Sequence, residues 1–198
     1  EIHRWLEFRR VLFRSHSVPV TVNDIIIEEN NSVKLLGVHV DTHLRFSNHV
    51  DSIIAKVKPA THALVQLKKV GVTPSSLTVF YRSRILSLLS YAAPSWFPFL
   101  SNNDKMRLER LQKLCLRVIL PSCDEYDQRL SILGLQELSV YLDICCLKYA
   151  AKISQTASHP LRQYIPPIQR TGKTRHIPLA RPKCRTSLCS KSFFYKYF

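Results

Sequence analysis

The sequence predicts a mainly α chain: a small β element of a hairpin or three strands, then a helical bundle, then an irregular basic tail. Three observations predict it. Short β-branched runs separated by Asn and Asp pairs occupy residues 18–40. From Ser47 to about residue 155, apolar residues recur at the 3.6-residue period of helices that face a core. Beyond Ser158, Pro160, Pro166 and Pro167 break regular structure while cations accumulate. The chain accordingly divides into 17–46, 47–157 and 158–198, with residues 1–16 set apart.

In order, "VPVTV" (18–22) and "IIIEE" (25–29) flank Asn23-Asp24, a two-residue hairpin signal. "VKLLGVHV" (33–40) reads as a third strand, and Gly37 in its middle implies a bulge or a closely approaching backbone. A helix is expected from an N-cap at Ser47, with Val50, Ile53, Ile54, Val57, Leu64 and Leu67 inward and a kink at Pro59. Thr73-Pro74, a cap followed by proline in the first turn, opens a second helix running to about Leu89. "YAAPSWFPFL" (91–100) reads as an extended aromatic connector. A third helix from Asn102 or Asn103 should bury Leu108, Leu111, Leu114, Cys115 and Val118, leaving Lys105, Arg107, Arg110, Lys113 and Arg117 outside. A short helix over 124–132 stops before Gly134, and another covers about 136–155.

The net charge is +15. Arg170, Lys173, Arg175, Arg181, Lys183, Arg185, Lys191 and Lys196 supply eight of those charges with no acid among them. Such a block suits a polyanionic partner, nucleic acid above all, or a solvated tail. No apolar run reaches the ~20 unbroken residues of a membrane span, and no signal peptide is expected. Of the six cysteines, Cys115, Cys145 and Cys146 sit in apolar helical patterns, while Cys184 and Cys189 with His176 make a poor zinc signature. A reducing, intracellular compartment is the expectation. His39, Asp41, His43 and His49 crowd the strand-to-helix passage without zinc-type spacing or a nucleophile, and read as a structural corner rather than a metal or acid–base site.

Residues 6–15, "LEFRRVLFRS", resemble the conceptual translation of a sequencing-library adapter, so residues 1–16 are expected to be artefactual or disordered. Removing 1–15 leaves a strongly basic chain.

"VKLLGVHVDTHLRFSNHVDSI" resembles the segment after the catalytic palm in reverse transcriptases of non-LTR, jockey-like retrotransposons, through Lys34, Leu36, Gly37, Val38, Asp41, Leu44 and His49. "LSYAAPSWFPFLSNNDKMRLERLQKLCLRVIL" is similar to the thumb of that family at Tyr91, Ala92, Pro94, Trp96, Pro98, Leu108, Glu109, Gln112 and Arg117. "DQRLSILGLQELSVYLDICCLKYAAKI" continues it with Arg129, Leu130, Leu133, Gly134, Leu135 and Leu138, and "ARPKCRTSLCSKSFFYKYF" is similar to its closing basic segment. Leu35 and Phe46 depart from the aromatic residues usual at those positions.

The resemblance implies a primer-grip-like β element at Leu36 and Gly37 and a thumb-like bundle over 47–157. It also implies a template–primer duplex as partner, held by phosphate contacts from Lys56, Lys68, Lys69, Arg107, Arg110, Lys113, Lys183 and Arg185. Polymerisation needs clustered carboxylates holding two metal ions about 3.5–4 Å apart. The chain has no Asp-Asp pair, so it reads as a non-catalytic fragment without palm or fingers. It needs no cofactor, although the intact parent enzyme would need magnesium, and it has no membrane partner. If expressed, it belongs in nucleus or cytoplasm. The alternatives are a basic helical scaffold module, or an unexpressed reading frame cut from a decayed element, which the adapter-like start and the abrupt end at "FFYKYF" favour.

Overall fold

The computed structural model describes residues 20–22, 25–27, 30–165, 169–170, 179–180, 184 and 186–198. The expectations for residues 1–16, the Asn23-Asp24 turn, His176, Lys183 and Arg185 lie outside them. The chain is mainly helical with small antiparallel sheets. Strands β1 (Val20–Val22) and β2 (Ile25–Ile27) pair with each other, and β3 (Ser32–Leu35) pairs with β4 (Val38–Asp41). The expected single strand over 33–40 is therefore a hairpin. Leu36 and Gly37 take positive φ values of 46° and 86°, which reverse the chain between Leu35 and Val38. Glycine makes that left-handed turn cheap at its second position.

The long helix α1 (Ser47–Lys69) accommodates Pro59 without ending. Its N-cap is Phe46, in the left-handed region, rather than Ser47. Next, α2 is one rod in three stretches, Pro74–Phe80, a π-helical Tyr81–Leu86 and Ser87–Ser90, opened by Thr73, whose hydroxyl accepts from the Ser76 N–H. The aromatic connector is not extended. It winds into α3 (Ala93–Trp96) and a 3-10 turn (Phe97–Phe99), because Trp96 and Phe97 are drawn into the core. Helix α4 (Asn102–Ile119) is capped by the Ser101 hydroxyl, then follow α5 (Tyr126–Leu133), stopped by left-handed Gly134, and α6 (Leu138–Gln155).

On α4 the buried stripe is Leu108, Gln112, Cys115, Leu116 and Ile119, while Leu114 is exposed, contrary to expectation. The reason is Gln112: its amide is fully bonded inside the core, so the inward face turns toward it. Past a 3-10 turn (Pro160–Tyr164) lie β5 (Gln169–Arg170) and β6 (Leu179–Ala180), paired antiparallel, then α7 (Ser187–Lys191) and α8 (Phe193–Tyr197). The tail is thus not irregular at its end. Phe193 inserts into the core against Tyr149, and the Lys196 ammonium and Tyr197 hydroxyl both bond Asp143 of α6.

Helices α1 and α4 run parallel. Ser47 meets Asp104, Asp51 meets Arg107, Thr61 meets Cys115, and the Lys68 ammonium reaches the Ile119 carbonyl at 3.2 Å, in step from N-termini to C-termini. Among the described residues no single helix is long and apolar enough to cross a membrane.

Candidate nucleic-acid interface

Two helices packed side by side have an inner face in the core and an outer face in solvent. The inner face of α1 is Val50, Ile53, Val57 and Leu64, and that of α4 is Leu108, Cys115 and Ile119. Opposite them, Lys58 and Lys69 on α1 and Arg110, Lys113 and Arg117 on α4 are exposed. The acids of the two helices are Asp51, Asp104 and Glu109. None of the three is left to oppose this face. Asp51 is paired with Arg107, and Asp104 is buried with the Ser47 and Ser101 hydroxyls at 3.1 and 2.7 Å and Arg107 at 3.1 Å. Glu109 accepts from the Tyr126 hydroxyl and from the backbone N–H of Leu138 and Ser139. Among the described residues, Lys58, Lys69, Arg110, Lys113 and Arg117 on this outer face form no ion pair.

The cations expected from sequence separate into groups. Lys69, Arg110 and Lys113 lie on that outer face, Lys113 with its ammonium 4.6 Å from the Tyr126 ring centre. Lys56 is exposed but on the flank of α1 nearer His49, whose pKa it helps depress. Arg107 is committed to its two aspartates and Lys68 to the Ile119 carbonyl at the end of α4, where a cation complements the helix dipole. Sequence reasoning missed Lys58, and set Arg117 aside. The signal that finds both is the pairing of α1 with α4, which decides which side of each helix is outward.

The His-Asp cluster forms a corner. The Asp41 carboxylate accepts the backbone N–H groups of His43, Arg45 and Phe46 at 2.8–3.1 Å, which closes the loop into α1. Burial would raise its pKa, but those N–H bonds and nearby His43 override it and hold the carboxyl below its usual value. The same bonds support Leu44 and Phe46 at positive φ. His49 is buried, takes the His39 N–H on Nδ1 at 3.4 Å, and lies edge-on to Trp96 with its Nε2 unpartnered. Desolvation, with His39 and Lys56 adding repulsion, lowers its pKa to about 4, so it stays neutral near pH 7. The Leu36 carbonyl accepts the Tyr91 hydroxyl at 2.8 Å, and the Tyr91 ring lies 3.5 Å from where a Cβ on Gly37 would sit.

Asp41, Asp104, Glu109 and Asp143 are each engaged in separate structural bonds, and among the described residues no three His, Cys, Asp or Glu side chains converge. Other residues on which the sequence resemblance rests are structural ties as well. The Gln112 amide donates to the Gln136 carbonyl at 2.7 Å and the Tyr126 hydroxyl at 3.0 Å, and accepts from the Tyr81 hydroxyl at 2.8 Å. The Arg129 guanidinium, buried, closes the turn after α4 through the Leu120 and Cys123 carbonyls. No protein-family model, curated protein or solved structure matches the chain.

Proposed function

We propose that this chain is a non-catalytic nucleic-acid-binding module of the reverse-transcriptase thumb kind, holding a template–primer duplex against the outer face of α1 and α4. The observation that carries the reading is the row of Lys58, Lys69, Arg110, Lys113 and Arg117 on a face whose neighbouring acids are already engaged. Cations so placed meet phosphates, which fix position and carry no sequence preference. The order of the family-like blocks along the sequence supplies the choice of duplex over other polyanions.

The test is binding of an RNA–DNA hybrid by fluorescence anisotropy across salt. With roughly five phosphates neutralised, log K should fall with log salt at a slope of about −4.5. Arg110→Ala and Arg117→Ala should each flatten that slope by about one and weaken every sequence alike. The same preparation should extend no primer with magnesium or manganese. A slope near zero, or unchanged slopes in both variants, would remove the outer face from the reading.

A second reading, an interaction module for another protein, is favoured by one feature. Val33, Leu35 and Leu36 of the β3–β4 hairpin are all more than half exposed.

A further inference from the structure

The thiols of Cys184 and Cys189 lie with their sulfurs 3.0 Å apart, about 1 Å beyond the length of a disulfide. They are brought together by the start of α7. Thr186 caps that helix, its hydroxyl accepting the Cys189 N–H at 3.2 Å, and this folds the first turn back toward residue 184. Three of the other four cysteines are placed differently, and the fourth, Cys145, is half-buried on α6. Cys115 and Cys146 are buried, and burial pushes each thiol up to about 11, which suppresses the reactive thiolate. The Cys123 thiol donates to the Glu125 carbonyl and the Gln128 amide oxygen. Cys184 and Cys189 instead sit at the surface, Cys189 exposed and Cys184 half-buried. In sequence they stand among Lys183, Arg185 and Lys191.

We propose that Cys184 and Cys189 are a reversible dithiol–disulfide pair, oxidised by small-molecule disulfides, that fastens the C-terminal strap formed by α7 and α8. The exposed Cys189 thiolate attacks one sulfur of R–S–S–R. The S–S bond breaks, and the departing RS⁻ takes up a proton. Cys184 then attacks the Cys189 sulfur of the mixed disulfide and expels the second RS⁻, which is likewise protonated. Two protein thiols lose two electrons and two protons, and R–S–S–R becomes two RSH. The product ties residue 184 covalently across the cap of α7, just before Phe193 enters the core. The short ring and the pre-set sulfurs make closure a local event that leaves the bundle unmoved. In a reducing compartment such a bond is transient and signals redox state rather than serving as a permanent staple.

The experiment equilibrates the folded chain with graded ratios of oxidised to reduced glutathione, then alkylates and maps the peptides. Expected is a species in which Cys184 and Cys189 are joined and the buried cysteines remain alkylatable only after unfolding. Cys184→Ser should trap glutathione on Cys189, the mixed disulfide outliving that of the wild type by on the order of tenfold or more. Cys189→Ser should not cross-link. Limited proteolysis within 186–198 should slow on oxidation in the wild type and stay unchanged in Cys184→Ser. Both substitutions fall at the surface, so each variant remains folded enough to read. Bonds from Cys189 to Cys123 or Cys145, disulfide-linked dimers, retention of one zinc ion by the reduced pair, or no oxidation at all would each overturn the proposal.

Discussion

Trp96 and Leu36 are both large apolar residues held by the same tyrosine. The Trp96 indole donates to the Tyr91 carbonyl at 2.9 Å, and the Tyr91 hydroxyl donates to the Leu36 carbonyl at 2.8 Å. Yet Trp96 is wholly buried while Leu36 is 84% exposed. The difference separates two regions built by different rules. In the bundle, buried polar groups are tied across elements: Glu109 caps α6, which has no capping side chain of its own, and Gln112 bonds three partners beneath α2 and α5, while the Nε2 of His49 alone among the buried polar atoms described lacks a partner. In the β3–β4 hairpin, Tyr91 and the Asp41 corner hold the backbone, and the apolar side chains on β3 face water. The β3–β4 hairpin instead leaves Val33, Leu35 and Leu36 more than half exposed.

The largest effect that could break this contrast is at Trp96. Trp96→Ala removes a fully buried indole that packs edge-on against His49 and Phe97, and loses the bond to Tyr91. The expected loss is about 3–5 kcal/mol of unfolding free energy, read as a collapsed urea midpoint. A loss below about 1 kcal/mol would mean that the bundle is no better packed than the hairpin.

A pH titration probes the junction of the two regions, where His39 of β4 meets His49 of α1. The folded-state pKa of His49 lies below its unfolded value, at about 4 against 6.5. Between those values the unfolded chain binds a proton that the folded chain refuses. The stability due to the neutral ring is therefore fully present above pH 6.5 and is lost as pH falls toward 4. Allowing for solvent screening, the loss amounts to roughly 1–2 kcal/mol. His49→Phe keeps an aromatic ring without a titrating group, so the stability difference between wild type and variant should change across that window and be flat above it. A constant difference from pH 7.5 to 4.5 would show that His49 is not desolvated in the folded chain.

Helix positions were legible from sequence because period and caps are local. Thr73-Pro74 and Gly134 mark their boundaries without help from the rest of the fold, and the start expected at Asn102 or Asn103 falls beside the Ser101 cap of α4. What the sequence hid depends on distant partners. Phe97 looked like part of an extended linker, because nothing local says that a Pro-interrupted aromatic run will wind into the core. Leu114 was expected inside because it is leucine, whereas Gln112 holds the interior place through Tyr81, Tyr126 and the Gln136 carbonyl. The cationic face was half legible. Arg110 and Lys113 stand out on a helical wheel, but Arg107 and Lys68 look identical there and are spent on Asp51, Asp104 and the Ile119 carbonyl. Only the parallel docking of α1 on α4 separates the cations engaged in bonds from those facing solvent.

The smallest effect is the most pointed test of the hairpin. Leu36 holds φ at 46°, a conformation that a branched apolar side chain adopts at a cost, and its side chain gains almost no burial in return. Gly37 follows at 86°, so the pair forms the kind of turn for which Asn-Gly is the favoured sequence. Leu36→Asn should therefore leave the isolated chain unharmed or stabilise it by about 0.5 kcal/mol, since the Tyr91 hydroxyl bonds the backbone carbonyl rather than the side chain. Thermal melts of the two chains at equal concentration would read this directly. A destabilisation of more than about 1 kcal/mol would place the Leu36 side chain in an intramolecular contact and make the hairpin part of the self-satisfied core. If the melt is unchanged, folding of this chain does not account for a leucine at the turn.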